Sequence, residues 1–386
     1  MYNRRWVFWA SCLGILVFGI GMITLGSVAP ALQTKFSLSE VQIGLIFSVL
    51  PFGILTGSLV FGPWCDRYGY KGILVLALLI MTGGFWGIVW LTSYALLLGL
   101  VFFFGLAGGI INGGTSALVA DISTDNKGAD LALMGVFFGL GALGLPFLLG
   151  SLQSKVSVET ILVTAGIIAL GAAIGFGVIK LPPPKNINGF PLAQGKKMLS
   201  DVFLLLTGFF LFFQSAFEGI INNWTTLYLR DAHQVGDKLG LFALSAYMAG
   251  MTVMRLLMGT LFRQTKPVNI VTISMIMLML ACLCIQIGGS GFILMLGMVL
   301  FGGGLGCGFP VMLGLIGAVY TQLSGTAFSI AFVLALTGNM ILNYLMGLIA
   351  DQYGIQNYAW MVLFTSLAMS LLAFIIFHKY SQTKKI

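Results

Sequence analysis

A single carboxylate lies deep in a long apolar segment and has polar side chains at helical spacing around it. Gln214, Glu218, Asn222 and Thr225 follow one another at steps of four, four and three residues, which places them on one face of a helix. Of the eleven acidic residues, the other ten lie between apolar segments or near their ends. Because a carboxylate is costly to keep charged in apolar surroundings, Glu218 should have a specific task.

Three roles for Glu218 are compatible with this pattern. It could take up and release a proton, since burial favours the neutral form of a carboxylate. It could stay charged and accept hydrogen bonds from a polyol, or bind a cationic solute directly. It could also be structural, paired with Arg255 or with an internal water. Arg255 lies in the last third of the next apolar segment. We expect its side chain either to extend to the membrane interface or to have a structural role.

Further amides and one indole complete the set of candidate binding residues. Amides donate and accept hydrogen bonds as hydroxyls do, and an indole packs on the C–H face of a sugar ring, so the set suits a neutral sugar. Each amide could instead form an interhelical hydrogen bond, and the indole could anchor a helix at a membrane interface. The candidates are Gln214, Asn222, Asn223, Trp224, Asn112, Asn339 and Asn343.

The composition indicates which elements hold these residues. Hydrophobic residues make up 59% of the 386 residues and charged residues 8%, whereas a soluble domain is nearer a quarter charged. The apolar runs are about 20 residues or longer, which suits a helix that crosses about 30 Å of hydrocarbon. The first run, residues 6–32, is too long for a cleaved signal peptide. We therefore predict an all-α membrane protein.

Twelve apolar segments divide into six and six around one long polar connection. This connection, "KLPPPKNINGFPLAQGKKMLS" from Lys180 to Ser200, is rich in Pro, Gly and Lys, as a solvated linker should be. We predict an N-terminal six-helix bundle over residues 1–180, a cytoplasmic linker over 181–200 and a C-terminal six-helix bundle over 201–386.

The two halves resemble each other at a constant shift of 197 residues. One shift relates three pairs of segments without a gap, which predicts two related bundles of six helices. Repeated halves with a substrate site at their interface are typical of transporters. The matched positions are Gly62 and Gly259, Phe104-Gly105 and Phe301-Gly302, Gly109 and Gly306, Gly141 and Gly338, and Gly150 and Gly347.

The basic residues predict the orientation of the chain in the membrane. Fourteen of the nineteen Lys and Arg residues fall on the side of the N-terminus, four fall on the other side, and one lies within a segment. Basic loops favour the cytoplasm, so we expect both termini to be cytoplasmic in a bacterial inner membrane. The net charge of +8 therefore reflects topology and does not indicate nucleic-acid binding.

The connection between segments two and three carries a specific motif. "GPWCDRYGYKG", from Gly62 to Gly72, matches the G-x-x-x-D-R-x-G-x-K signature of the major facilitator superfamily. With twelve segments in two halves, the resemblance covers essentially the whole chain. It implies the major facilitator fold, alternating access and a cytoplasmic latch. Physically, the first glycine could let two helices approach closely. The alternative to a latch is a charged turn that only fixes the topology of the chain. The gating residues that the resemblance implies are Gly62, Asp66, Arg67 and Lys71.

Two glycine-rich stretches resemble one branch of that superfamily, the fucose/glucose/galactose–proton symporters. They are "GVFFGLGALGLPFLLG" at 135–150 and "GGGLGCGFPVMLGL" at 302–315. "EGIINNWTTLYL" at 218–229 resembles a pattern of poorly characterised bacterial transporters near that branch. The branch carries acids in spans one and four, whereas here span one has none and span four has Asn112, with Asp121 only at its end. Glu218 is therefore the expected proton-coupling residue.

Together these features predict a secondary transporter and not an enzyme. We expect proton-coupled import of a sugar or sugar-like polar metabolite, with protons and the lipid bilayer as the other partners and a monomer as the superfamily default. The alternative is a proton-coupled exporter of drugs or metabolites, because "GALGLPFLLG" partly resembles an antiporter motif. We expect no catalytic residues, cofactor, metal or nucleic acid, because the five cysteines and two histidines lack metal-ligand spacing and no nucleotide-binding loop is present.

Overall fold

The described part of the chain consists of long helices. The computed structural model describes residues 2–123, 127–152, 155–183, 200–262, 264–288, 290–320 and 324–383. These ranges contain twelve α-helices and a short 3-10 helix, Ile355–Asn357, and no β-strand. All twelve α-helices contain a segment long and apolar enough to cross a membrane, as the composition predicted. The helices are α1 Arg4–Phe36, α2 Glu40–Tyr68, α3 Tyr70–Trp90, α4 Tyr94–Ile122, α5 Lys127–Leu152, α6 Val158–Val178, α7 Val202–His233, α8 Asp237–Gly259, α9 Pro267–Ile287, α10 Gly291–Val319, α11 Ser324–Tyr353 and α12 Tyr358–Thr383.

Two compact units share these helices, six in each. The units are residues 1–188 and residues 189–386. Their boundary falls within 184–199, which lies outside the described residues, so the limits of the predicted linker stay a prediction. The orientation of the termini also stays a prediction.

Within each unit the helices pair in the same order. In the first unit α1 packs on α5, α2 on α4, and α3 on both α4 and α6. In the second unit α7 packs on α11, α8 on α10, and α9 on both α10 and α12. The second set follows from the first when six is added to each helix number. The two bundles are therefore repeats of one plan, as the shift of 197 residues predicted.

The repeat also holds for one close contact between helix backbones, which occurs at the equivalent position in each unit. A Cβ atom added at Gly105 in α4 would overlap the carbonyl oxygen of Leu50 in α2. A Cβ atom added at Gly302 in α10 would overlap the carbonyl oxygen of Tyr247 in α8 in the same way. Both the glycines and the residues they contact differ by 197 in number. Glycine is needed at these positions because the helix backbones touch there.

Substitution of either glycine is expected to destabilise its bundle. Gly105→Ala and Gly302→Ala should each lower the free energy of unfolding by about 1–3 kcal/mol, because a methyl group forces the two helix backbones apart. Thermal unfolding of the purified protein in detergent measures the effect. Gly99→Ala and Gly314→Ala are matched controls on the same two helices, since a Cβ atom at either position meets no atom within 4 Å. Equal melting temperatures for all four variants would contradict the prediction.

The length of α7 places Glu218 near the middle of the membrane. Asp201 caps the helix, because its Oδ1 accepts hydrogen bonds from the backbone N–H groups of Phe203 at 2.9 Å and Leu204 at 3.1 Å. The helix ends at His233, where Gln234 adopts the left-handed conformation with φ 53°. Its 32 residues span about 48 Å, more than the hydrocarbon core of about 30 Å. Glu218 lies midway along it.

Candidate functional site

Gln214 fixes the position of the Glu218 carboxylate. The Gln214 side chain is fully buried. Its Nε2 donates to Oε1 of Glu218 at 3.1 Å and to the carbonyl oxygen of Leu305 in α10 at 2.9 Å. Gly308 makes room for this arrangement, because a Cβ atom there would overlap the Gln214 amide. One amide therefore holds the carboxylate of α7 against the backbone of α10.

Four buried polar atoms near Glu218 have no hydrogen-bond partner in the part of the chain that the structure describes. They are Gln214 Oε1, Asn222 Oδ1, the Tyr247 hydroxyl and Arg255 Nε. Glu218 itself is partly buried. We call these five residues the Glu218 cluster. Because buried polar atoms in native proteins are almost always hydrogen-bonded, such a concentration is typical of a site that binds a polar ligand.

Arg255 lies within electrostatic range of Glu218 and of Tyr247. No direct ion pair joins Arg255 and Glu218 in the described part of the chain. The Nε of Arg255 is buried and the residue as a whole is partly exposed, so extension to the interface and a structural role both stay predictions. The site therefore holds one positive and one negative group that do not neutralise each other by contact.

A second polar group of side chains joins α7 to α11. Asn343 Oδ1 accepts hydrogen bonds from Asn223 Nδ2 at 3.1 Å and from Trp224 Nε1 at 3.2 Å. Asn343 Nδ2 donates to the carbonyl oxygen of Asn339 at 2.8 Å and to its Oδ1 at 2.9 Å. Asn339 Nδ2 donates to the carbonyl oxygen of Ser215 at 2.8 Å. The sequence left open whether these amides bind a solute or join helices. The structure shows that they join helices, and their contact with a solute stays a prediction.

Loss of the central amide is expected to weaken this junction. Asn343→Ala removes the oxygen that accepts from the buried Asn223 amide, which should cost about 1–3 kcal/mol of stability. Thermal unfolding in detergent measures the cost. Asn112→Ala is the matched control, because Asn112 is exposed on α4. Equal unfolding temperatures for Asn343→Ala and Asn112→Ala would contradict the prediction.

The predicted gating residues lie around the turn between α2 and α3. Gly69 is the single residue that joins these helices, and its φ of 80° favours glycine. Arg67 and Lys71 are exposed, and the Arg67 guanidinium lies 5.2 Å from the centre of the neighbouring tyrosine ring. The interpretation of Gly62 as a site of close helix approach is wrong for the described part of the chain, where a Cβ atom at Gly62 meets nothing within 4 Å. The side chain of Asp66 lies outside the described residues, and gating stays a prediction.

Tyr247 is the member of the site that sequence analysis missed. A tyrosine within an apolar segment is usually a core residue, and Tyr247 is fully buried. The repeat could have revealed it, because the matching residue in the first unit is Leu50. The hydroxyl is thus a polar group that the equivalent position of the other bundle does not have.

Among the described residues, no group of three or more His, Cys, Asp and Glu side chains could hold a metal ion.

These features define a multi-pass membrane protein built from two repeated six-helix bundles, with a polar cluster inside the second. The family model of the Major Facilitator Superfamily matches residues 11–289, and the chain belongs to this superfamily of transporters. Its family and its relatives are transporters and not enzymes.

Relatives of known function match parts of the chain. The 4-hydroxybenzoate transporter PcaK of Pseudomonas putida is 28% identical over 163 residues, which are 42% of this chain and 36% of that protein. The gallate transporter of Pseudomonas putida is 32% identical over 74 residues, which are 19% of this chain and 16% of that protein. The chain thus matches about a third or less of the length of these relatives.

Solved structures match nearly the whole chain. A crystal structure of the nucleoside transporter NupG has a TM-score of 0.81 at 13% identity and covers 97% of this chain and 99% of that one. The crystal structure of a D-xylose–proton symporter has a TM-score of 0.80 at 13% identity, with 96% and 97% covered. At this identity the likeness establishes the fold and carries no information about the solute.

Proposed function

We propose that this transporter imports a small hydroxylated carboxylic acid together with a proton, and that the Glu218 cluster binds both. The observation that supports the proposal is the concentration of buried, unpartnered donors and acceptors around Glu218. Arg255 Nε and the Tyr247 hydroxyl can donate, whereas Gln214 Oε1 and Asn222 Oδ1 accept. A solute with an anionic acceptor at one end and a hydroxyl donor at the other would match both kinds of group.

The charge of Arg255 favours a carboxylate over a neutral solute. A guanidinium presents its donors as a planar fork that matches a carboxylate in a bidentate manner. A partly buried guanidinium without a paired anion is costly to maintain, and among the described residues no direct ion pair forms between Arg255 and Glu218. A solute carboxylate would offset this cost, whereas the hydroxyls of a neutral sugar would leave the charge uncompensated.

The names of the relatives agree with this class of solute. 4-Hydroxybenzoate and gallate both carry a carboxylate and at least one hydroxyl group. The matched segments cover only part of each protein, so the names support the chemical class and not a particular compound.

Glu218 provides a physical link between solute and proton. A bound carboxylate near Arg255 would bring a second negative charge close to Glu218, and like charges favour the protonated form of one partner. Binding of the anion would therefore accompany uptake of a proton by Glu218. Gln214 Nε2 can donate to Glu218 in either protonation state. One anion and one proton would then cross together, and release of either would favour release of the other.

A neutral sugar-like metabolite, imported with protons, is the second candidate. The amide oxygens of Gln214 and Asn222 have no partner among the described residues and are suitable acceptors for sugar hydroxyls. This candidate uses the same proton-carrying residue but assigns no solute contact to the charge of Arg255. The direction of solute movement distinguishes import from export. An inward proton gradient drives the solute inward if the two move together, and outward if they are exchanged.

Charge balance separates the two candidates in one experiment. A proton that accompanies a monovalent anion moves no net charge, whereas a proton that accompanies a sugar moves one positive charge. Proteoliposomes would be given an inward proton gradient, with the membrane potential either clamped at zero or set inside-negative. We expect radiolabelled 4-hydroxybenzoate to accumulate equally under both conditions, with protein-free liposomes as the control for passive entry. Accumulation of D-glucose that increases with the potential would favour the sugar, and accumulation of neither solute would contradict the proposed function.

A further inference from the structure

An apolar groove of about 560 Å³ lies between α9 and α12 in the second unit. Three of the residues that line it, Val271, Met275 and Ala373, are buried and form its floor. Two others, Ile276 and Phe374, are 55% and 71% exposed and lie at its edges. Because exposed apolar side chains on a helix that crosses a membrane face lipid, the groove opens towards the hydrocarbon of the bilayer.

The two hydroxyl groups in the groove are already hydrogen-bonded. Thr272 Oγ1 donates to the carbonyl oxygen of Val268 at 2.9 Å. Ser370 Oγ donates to the carbonyl oxygen of Ser366 at 2.8 Å. Both bonds stay within one helix, so neither hydroxyl proton is left for a ligand. The groove therefore offers mainly apolar contact, which suits a hydrocarbon chain and not the polar solute of the Glu218 cluster.

The groove has the length of one leaflet of the membrane. Its lining on α9 extends from Val268 to Leu280, which is about 18 Å along the helix axis. Half of the hydrocarbon core of a bilayer is about 15 Å thick. On α12 the lining extends from Ser370 to His378. Since α9 and α12 cross the membrane in opposite directions, Val268 and His378 lie at the same end, which the basic residues predict to be cytoplasmic.

This end of the groove carries positive charge. Lys266 directly precedes α9, and Lys379 follows the lining residue His378. Both lysines are exposed, and neither α9 nor α12 contains an Asp or Glu residue. No side chain among the described residues caps the start of α9, and the N-terminus of a helix favours an anion. Charge and shape together match an amphiphile with an apolar chain and an anionic head.

We propose that the groove between α9 and α12 binds an anionic phospholipid of the cytoplasmic leaflet. One acyl chain lies along the floor formed by Val271, Met275 and Ala373. The phosphate lies at the start of α9, near Lys266 and Lys379. The inference is independent of the proposed function, because neither the transported solute nor a proton takes part in it.

The two lysines test the anionic head. Purified protein in detergent is titrated with phosphatidylglycerol, and native mass spectrometry measures the dissociation constant of the first bound lipid. Lys266→Gln and Lys379→Gln should each weaken binding about fivefold, because each basic residue near the membrane surface attracts an anionic lipid to about that extent. Phosphatidylethanolamine with the same acyl chains has no net charge, so its affinity should change little. Lys180→Gln is the matched control, since Lys180 is exposed in the first unit on the side also predicted to be cytoplasmic.

A bulky side chain in the groove tests the acyl chain. Thr272 is exposed and lines the groove, so Thr272→Trp places an indole in the space of the lipid without entering the core. Binding of both lipids should weaken more than about tenfold, since loss of the contacts of two methylene groups already has this effect. Ile273→Trp is the matched control, because Ile273 is exposed on the same helix and does not line the groove.

Three results would overturn the proposal. Parent affinity for phosphatidylglycerol in both lysine variants would show that no anionic head is recognised there. Equal affinities of Thr272→Trp and Ile273→Trp would place the acyl chain elsewhere. A parent dimer that becomes a monomer in Thr272→Trp would assign the groove to a second copy of the chain. The lysine variants change only exposed residues, so they decide the matter even if a tryptophan variant unfolds below the parent temperature.

Discussion

Replacement of Glu218 by glutamine is expected to abolish accumulation of the solute while leaving its exchange intact. Glutamine has nearly the same shape and can still accept the hydrogen bond from Gln214 Nε2, but it cannot take up a proton. For one proton per solute, a gradient of one pH unit supplies about 1.4 kcal/mol and supports about tenfold accumulation. The variant should equilibrate the solute without concentrating it, because its movement is no longer linked to the proton.

Uptake and exchange in the same proteoliposomes test this expectation. Asp351→Asn is the matched control, because it removes an exposed carboxylate of α11 in the same unit and should accumulate the solute as the parent does. Tenfold accumulation by Glu218→Gln would remove Glu218 from the coupling mechanism. Loss of both accumulation and exchange, in a protein that still unfolds at the parent temperature, would instead indicate that the charge of Glu218 is needed for solute binding itself.

The second large effect is expected at Arg255. Arg255→Gln removes the positive charge that the proposed site offers to a carboxylate, and loss of a hydrogen bond to a charged group costs about 1.5–3 kcal/mol, or about 10- to 150-fold in affinity. Arg255→Lys should recover part of this loss, because lysine retains the charge but lacks the planar fork of donors. The dissociation constant for 4-hydroxybenzoate, measured by calorimetry in detergent, reports the effect.

Two controls assign the effect to the carboxylate of the solute. The methyl ester of 4-hydroxybenzoate lacks the negative charge, so its affinity should change little between the parent and Arg255→Gln. Lys238→Gln removes an exposed cation from the start of the same helix and should bind the acid as the parent does. Equal loss of affinity for the acid and the ester would show that Arg255 supports the structure of the site and does not contact the anion.

Several features of the fold were predictable from the sequence because they depend on local rules. A helix that crosses lipid must satisfy its backbone hydrogen bonds internally, so long apolar runs predict helices, and the described part of the chain has twelve of them. The shift of 197 residues predicted two related bundles, and the contacts of Gly105 with Leu50 and of Gly302 with Tyr247 follow it. The polar face of α7 was equally predictable, since helical spacing places Gln214, Glu218 and Asn222 together.

The division of the polar residues between two groups was decided only by tertiary structure. The sequence allowed each amide either to contact a solute or to form an interhelical hydrogen bond. In the structure, Asn343 of α11 joins Asn223 of α7, whereas Gln214 of α7 reaches Leu305 of α10. These partners are separated by about a hundred residues, and helical periodicity says nothing about which helix lies opposite a given face.

The same limit explains the omission of Tyr247 from the predicted site. Arg255 was expected to extend to the membrane interface or to serve the structure, because position along a helix was the only information available. The closeness of Arg255 to Glu218, and the position of the Tyr247 hydroxyl, which has no partner among the described residues, depend on how α8 packs on α7 and α10. The sequence by itself thus determined which residues are costly to place in a membrane. Packing of the helices determined which of them hydrogen-bond to one another and which have polar atoms without a partner among the described residues.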